Sequence, residues 1–343
     1  MSTSSVMDNA GEGKMRNKIP TGYLFTVDGL RGELETLSIG DYGKSRNIKA
    51  DFLGFPNEIN GVANGNCLPL SEKWVITLST QYGCIQNCRF CDVPKIPFKG
   101  NASFDDLKLQ FYEAVKCFPE VHYTDRLNIH FARMGEPIVN DHVFDFARWL
   151  FTNKHIIQQE LNLRTEVIHP VLTTSLPNKF KHNEARLNEW CQIKNELYNG
   201  QAGLQLSINS TSEEQRNDMF AYGQLTLKEI SDIGNRLPDP IGRKYCLNFA
   251  YSTNYEIDAN KLLGLFDPNK FMVKITPIHN NDACRKNNIK TVGGYDSYLP
   301  YKTVEESLKL AGYDVLVFVP SMDEEQGLVT CGNLVLSKKI DLK

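Results

Sequence analysis

The sequence predicts a mixed α/β fold built around a parallel sheet. From about residue 74, short β-rich runs alternate with segments of helical periodicity, the pattern of barrels and doubly wound sheets. The polar motifs fall where predicted strands end, the face on which such folds build their sites. At 343 residues and 41% hydrophobic content, the chain is long enough to bury a large core. One large α/β domain with additions, or two domains, both satisfy that length.

The elements follow in order. Residues 1–18 are polar, carry little periodicity and read as a flexible leader. Residues 19–73 read as a small β-rich extension. It holds strand-like runs at Tyr23–Val27 and Glu35–Ile39, with Gly- and Asn-rich turns between them. Residues 74–320 read as the core, and 321–343 as a C-terminal segment. Within the core, strands are predicted at Trp74–Ser79, Asn128–Phe131, Glu166–Leu172, Gly203–Asn209, Lys244–Ser252, Met272–Ile278 and Val315–Val319. Helical spacing covers Phe104–Cys117, Val143–Phe151, Glu184–Leu197, Leu227–Leu237, Ala259–Leu265 and Val304–Ala311. Ser103, ahead of Phe104-Asp105-Asp106, suits a helix N-cap with acidic residues in the first turn.

Composition narrows the function classes. No apolar run approaches the roughly 18 residues of a membrane span, and the N-terminus lacks the apolar core of a secretory signal. Nine cysteines without secretory targeting imply a reducing compartment, the cytoplasm. A formal charge of −3 gives no global bias toward nucleic acid. A local basic patch would be needed, and Lys179-Phe180-Lys181-His182 and Arg285-Lys286 are the candidates.

The most specific motif is Gly83-Cys84-Ile85-Gln86-Asn87-Cys88-Arg89-Phe90-Cys91-Asp92, a C-x3-C-x2-C loop. Three thiolates on one short loop can hold three irons of a [4Fe–4S] cluster. The fourth iron then stays open to the amino and carboxylate groups of S-adenosylmethionine (SAM). One electron can split that sulfonium and release a 5′-deoxyadenosyl radical, chemistry that belongs to the cofactors. A structural zinc site would want four ligands, usually from paired C-x2-C motifs. No second pair lies nearby, and His122 and His130 are distant in sequence.

The loop with its lead-in Ser79-Thr80-Gln81-Tyr82-Gly83-Cys84 resembles the S-x-Q-x-G-C segment of the RlmN/Cfr class of radical SAM methylases. Other segments follow in that class's order. Met134-Gly135-Glu136-Pro137 resembles its M-G-E-P, and Thr173-Thr174-Ser175 its S-T-S turn. Ser207-Ile208-Asn209 resembles its S-L-H turn, and Cys331-Gly332-Asn333-Leu334 its terminal C-G-Q-L. Any one is weak; five in order, from about residue 74 to 336, are specific. The resemblance implies a partial parallel (β/α)6 radical SAM barrel with the small N-terminal extension added. It implies cluster ligands Cys84, Cys88 and Cys91. It also implies a SAM site at Gly135, Glu136, Thr174, Ser175, Ser207 and Asn209, and an electron donor such as flavodoxin or ferredoxin. A carboxylate at Glu136 suits the SAM ammonium, and short polar side chains suit its carboxylate and ribose. Each also has a plain structural reading, as a strand–helix turn or a turn cap.

In the resembled class a cysteine at the position of Cys331 accepts a methyl group. A SAM-derived radical then activates that S-methyl to attack an electron-poor adenine carbon in RNA. Polar methylation cannot reach such a carbon. Two departures stand out. The class carries a resolving cysteine seven residues before the first cluster ligand, where this chain has Thr77. Cys67, Cys117, Cys246 and Cys284 are the remaining candidates for that task. The helical RNA-binding accessory domain typical of RlmN is not recognisable in residues 1–70, and Asn209 replaces the class's histidine. Two alternatives follow. One is radical chemistry on a nucleotide, small metabolite or peptide, with Lys274 and His279 as contacts. The other is a non-catalytic iron–sulfur protein that binds nucleic acid.

Overall fold

The computed structural model describes residues 16–19, 22–40, 58–59, 62–63, 69–290, 299–317 and 332–337. Cys67, Cys331 and nearly all of the expected leader lie outside the described residues. The strands are Arg16–Ile19 (β1), Gly22–Gly29 (β2), Gly32–Gly40 (β3), Glu58–Ile59 (β4), Val62–Ala63 (β5), Trp74–Leu78 (β6) and Gln81–Tyr82 (β7). They continue with Gly100–Asn101 (β8), Tyr123–Phe131 (β9), Arg164–Thr174 (β10), Gly203–Ser207 (β11), Tyr245–Tyr251 (β12), Phe271–Pro277 (β13) and Val315–Val317 (β14).

Ten strands form one sheet in the order β1-β2-β3-β6-β9-β10-β11-β12-β13-β14. Every pairing from β6 to β14 is parallel and joins strands consecutive in that order. Helices fill the connections, with Phe104–Val115 before β9, Asp141–Thr152 before β10, Asn183–Gln192 before β11, Leu227–Arg236 before β12 and Leu299–Leu310 before β14. This is the expected α/β alternation, arranged as a partial (β/α) barrel. The N-terminal strands β1, β2 and β3 extend the same sheet, with β3 antiparallel to β6.

Period-two patterning sets the two faces of this sheet. Leu127, Ile129 and Phe131 on β9, Leu247 and Phe249 on β12, and Val273 and Ile275 on β13 are fully buried in the main core. The alternate residues Arg126, Asn128, His130, Asn248 and Lys274 are polar and face the other way. Lys274 is the charged residue that acts most strongly on His130. Their strands are four places apart in the sheet, about 19 Å if it were flat. The sheet therefore curls until β9 and β13 face one another across a polar lumen.

Local signals account for most element ends. Ser103 caps its helix in a capping box with Asp106, as the sequence predicts. The helix starting at Asn183 ends at Gln192 and passes into a π-turn at Ile193–Leu197, so the predicted helix to Leu197 changes hydrogen-bonding pattern in its last turn. The helix Lys154–Leu161 was not expected from the sequence; its polar face masks the periodicity. Among the described residues no helix is long and apolar enough to cross a membrane.

Trp74 joins the extension to the barrel. It is fully buried, meets Phe118 edge-on at 5.6 Å, and its indole N–H donates to Ser38 Oγ at 2.9 Å. Trp74→Ala should cost about 3–5 kcal/mol through lost packing, read as a lower urea midpoint with an unchanged m-value.

Candidate active site

The site is built at the carboxyl ends of the parallel strands. After β6 the chain runs through Ser79, Thr80 and Gln81 into the cysteine loop. After β9 it turns at Met134-Gly135-Glu136. These two connections are locked together. Thr80 N–H donates to Met134 O at 2.7 Å, and Gln81 N–H to the same oxygen at 3.2 Å. The buried Gln81 side chain then accepts two backbone hydrogen bonds, from Glu136 N–H at 3.0 Å and Ile85 N–H at 3.2 Å. Its amide donates to Asn101 Oδ1 at 2.7 Å. Gly135 is required here: its φ is +107°, and a Cβ would lie 2.7 Å from Gln81.

Glu136 is buried, and its Oε2 accepts from Ser175 N–H at 2.9 Å and Ser175 Oγ–H at 2.6 Å. Ser175 Oγ in turn accepts from the Gln86 amide at 2.8 Å. A continuous chain of hydrogen bonds therefore runs from the cysteine loop through Ser175 to Glu136. The other carboxylate oxygen, Glu136 Oε1, is buried without a hydrogen-bond partner. Burial pushes this carboxyl up from its ordinary value, and hydrogen bonds from Ser175 and Thr174 oppose the shift.

The remaining predicted residues sit on neighbouring strand ends. Thr174 is buried at the end of β10, where Oγ1 accepts from Leu176 N–H at 3.0 Å. Ser207 ends β11. Asn209 adopts the left-handed conformation, φ +63°, and its Oδ1 accepts from Ala250 N–H at 2.9 Å. Its side-chain carbonyl is thus committed to tying the β11 turn to β12.

The cysteine loop is clamped on both sides. Cys88 forms an antiparallel bridge with Phe220, and Arg89 N–H donates to Met219 O at 2.9 Å. Asn281 Nδ2 donates to Phe90 O at 2.9 Å, and Asn287 Nδ2 to Arg89 O at 2.7 Å. The buried Asp92 accepts from Ala283 N–H at 3.0 Å. Phe90 packs edge-on against Phe220 at 5.9 Å and joins a small apolar cluster with Tyr255 and Ile278. Burial pushes the Cys88 thiol well up, and Cys91, Cys84 and Glu136 add to the shift as like charges. Among the described residues no three His, Cys, Asp or Glu side chains converge on a single metal ion. The C-x3-C-x2-C spacing is not the paired C-x2-C pattern that a structural zinc takes. It suits a cluster in which each thiolate holds a different iron. The Gln86 N–H, 3.3 Å from Cys84 Sγ, supplies a hydrogen bond of the kind that tunes such clusters.

Sequence reasoning assigned no role to Gln81, Gln86, Glu35 or Arg133. Glu35 on β3 is fully buried, ion-paired with the buried Arg133, and accepts from Gly332 N–H and Leu334 N–H at 2.9 Å each. The N-terminal strands thus hold the start of the helix Asn333–Ser337 against the turn that carries Glu136. No local signal marked Glu35, which lies in a run of mixed polar and apolar residues, Glu33-Leu34-Glu35-Thr36-Leu37-Ser38. Arg133 also acts on His279, whose burial pushes its imidazole down to about 4. Of the alternative thiols for the resolving role, Cys117, Cys246 and Cys284 are all buried.

The solved structure of a radical SAM methyltransferase from Sphaerobacter thermophilus shares the fold, with a TM-score of 0.58 at 17% identity over 96% of this chain and 80% of that one. No protein-family model matches the chain. It is 24% identical over 294 residues to the dual-specificity RNA methyltransferase RlmN of Pseudomonas fluorescens, covering 80% of this chain and 68% of the relative. The probable RlmN of Heliobacterium modesticaldum is 25% identical over 61% of this chain and 50% of its own length. That of Chlorobium phaeobacteroides is 24% identical over 62% and 55%. This chain thus spans about half the length of the latter two. Its similarity to these RlmN proteins is at low identity, 24–25%.

Two outcomes test this geometry. Glu136→Gln removes a carboxyl whose folded-state pKa is raised. Such a group lowers stability as pH rises above its unfolded value. The variant should therefore melt higher than wild type at pH 7, with the difference shrinking at pH 4; the same difference at both pH values would contradict the burial argument. Glu35→Ala takes the carboxylate from the buried Arg133 guanidinium and should cost about 3–5 kcal/mol, measured by denaturant unfolding.

Proposed function

We propose that this protein is a radical SAM methylase that modifies an adenine ring carbon in RNA through Cys331. The observation that carries the reading is the buried Glu136 carboxylate, tied by Gln81, Gln86 and Ser175 to the three-cysteine loop and left with one oxygen unengaged. That oxygen suits an ammonium donor, and a charge-assisted bond there would be strong in a buried setting. The residues fit the cofactors of the class. Cys84, Cys88 and Cys91 would hold a [4Fe–4S] cluster, and Glu136, Gly135, Thr174, Ser175, Ser207 and Asn209 would line the SAM site. When bound, these cofactors supply one-electron cleavage of the SAM sulfonium.

The chain's own residues do the rest. Gln81 and Gln86 hold the thiols and the carboxylate at a fixed separation, so no ordering is required when the cofactor binds. The apolar cluster around Phe90 shields the loop from water. Cys331, next to the residue anchored by Glu35, is the methyl carrier on this reading. RNA as substrate rests on the activity for which the RlmN relatives are named. An external donor such as flavodoxin or ferredoxin would deliver the electron, and the seven free thiols among the described residues suit the cytoplasm.

A second reading keeps the radical chemistry and changes the substrate to a nucleotide, small metabolite or peptide. Thr77 favours it, because a threonine cannot form the disulfide that releases a covalent product.

After anaerobic reconstitution the protein should bind about four irons per chain and cleave SAM to 5′-deoxyadenosine. Mass spectrometry should find S-methyl on Cys331, and Cys331→Ala should still cleave SAM while methylating no RNA. Label reaching RNA in Cys331→Ala would remove the carrier role and leave the radical role standing.

A further inference from the structure

The lumen beneath the cofactor face holds a second polar group that the proposed methylation does not use. Asn128 pairs in register with His169, and Asn248 with Lys274, and these side chains lie on the inner face of the sheet. His169 is only 2% exposed, yet its Nδ1 has no hydrogen-bond partner; the hydroxyl of Thr276 is likewise buried and unsatisfied. Buried polar atoms of this kind are normally satisfied, and each one left open costs free energy. The charges acting on His130 are, strongest first, Lys274, Lys73, Arg243 and Arg126, all cationic. Arg243, Arg126 and Lys73 also act on His169. With burial they push His130 down to about 3, so its ring is neutral. A neutral imidazole still offers one N–H donor. Four cations acting on His130, three of them also on His169, give the lumen a positive potential inside low-dielectric walls, which concentrates anions.

We propose that the barrel lumen is an oxyanion site that takes a terminal phosphate, with Lys274 and Arg126 as its principal charges and His130, His169 and Thr276 as neutral donors. The phosphate would belong to a free nucleotide or to the end of an RNA. The inference does not rest on the methyl-carrier role of Cys331, and it extends the radical SAM reading by giving the substrate a charged handle below the reacting face.

Calorimetric titration of the reconstituted holoenzyme with inorganic phosphate, adenosine, adenosine monophosphate and a 5′-phosphorylated RNA tests it. Phosphate and the monophosphate should bind saturably, with adenosine much weaker. Lys274→Gln and Arg126→Gln should each weaken phosphate binding by roughly tenfold or more, with cluster absorbance and far-UV circular dichroism unchanged. Tighter binding of the monophosphate than of the RNA assigns the free nucleotide, and the reverse assigns the RNA end. If a lysine or arginine variant fails to fold, phosphate titration of wild type should still shift the His130 and His169 imidazole resonances, and Thr276→Val should weaken the effect. No saturable phosphate binding by wild type, or binding undiminished in both charge variants, would overturn the site whether or not SAM is cleaved.

Discussion

The side-chain amide of Gln81 is the contact on which the rest of the site depends. Its one oxygen receives the N–H of Ile85, inside the cysteine loop, and the N–H of Glu136, in the turn after β9. Two connections that are far apart in sequence therefore share a single acceptor. The close approach leaves no space for a side chain at residue 135. Because the amide is buried, losing either hydrogen bond would strand a backbone donor away from water. The separation between thiols and carboxylate is consequently set by the folded chain before any cofactor arrives, which is how a binding site lowers the cost of ordering its ligand.

A second constraint joins the termini to this centre. Glu35 comes from a strand added antiparallel to the barrel edge, and it holds both Arg133 and the backbone at Gly332. Burying an ion pair is a weak source of stability, but breaking one is costly. The pair therefore acts as a lock rather than a driving force. It also gives the N-terminal strands a purpose that their small size would not suggest: they fix where the C-terminal segment begins, beside the turn that bears Glu136.

Much of this was legible in the residues. Strand and helix alternation set the parallel sheet, because period-two apolar runs such as Leu127, Ile129 and Phe131 cannot serve a helix. The C-x3-C-x2-C spacing pointed to the loop, and Gly135-Glu136 and Thr174-Ser175 came out as neighbours, as their strand-end positions implied. What stayed hidden were side chains whose partners are distant in sequence. Nothing local to Gln81, Gln86 or Glu35 says that each will be buried with a specific acceptor or donor. The same holds for the lumen: Arg126, His130 and Lys274 read as ordinary polar strand residues until the curl of the sheet sets them facing one another. Asn209 shows the converse. Its position at a strand end was legible, but its commitment to Ala250 N–H follows from a neighbouring strand that local sequence does not reveal.

On the proposed function, three thiols and one carboxylate surround a cluster with a single iron left for SAM. Mössbauer spectroscopy of the iron-57 reconstituted protein, with and without SAM, tests it most directly. The account predicts that one iron of the cubane changes its signal on SAM binding while three stay constant. Four irons indifferent to SAM, or no cubane at all, would contradict it.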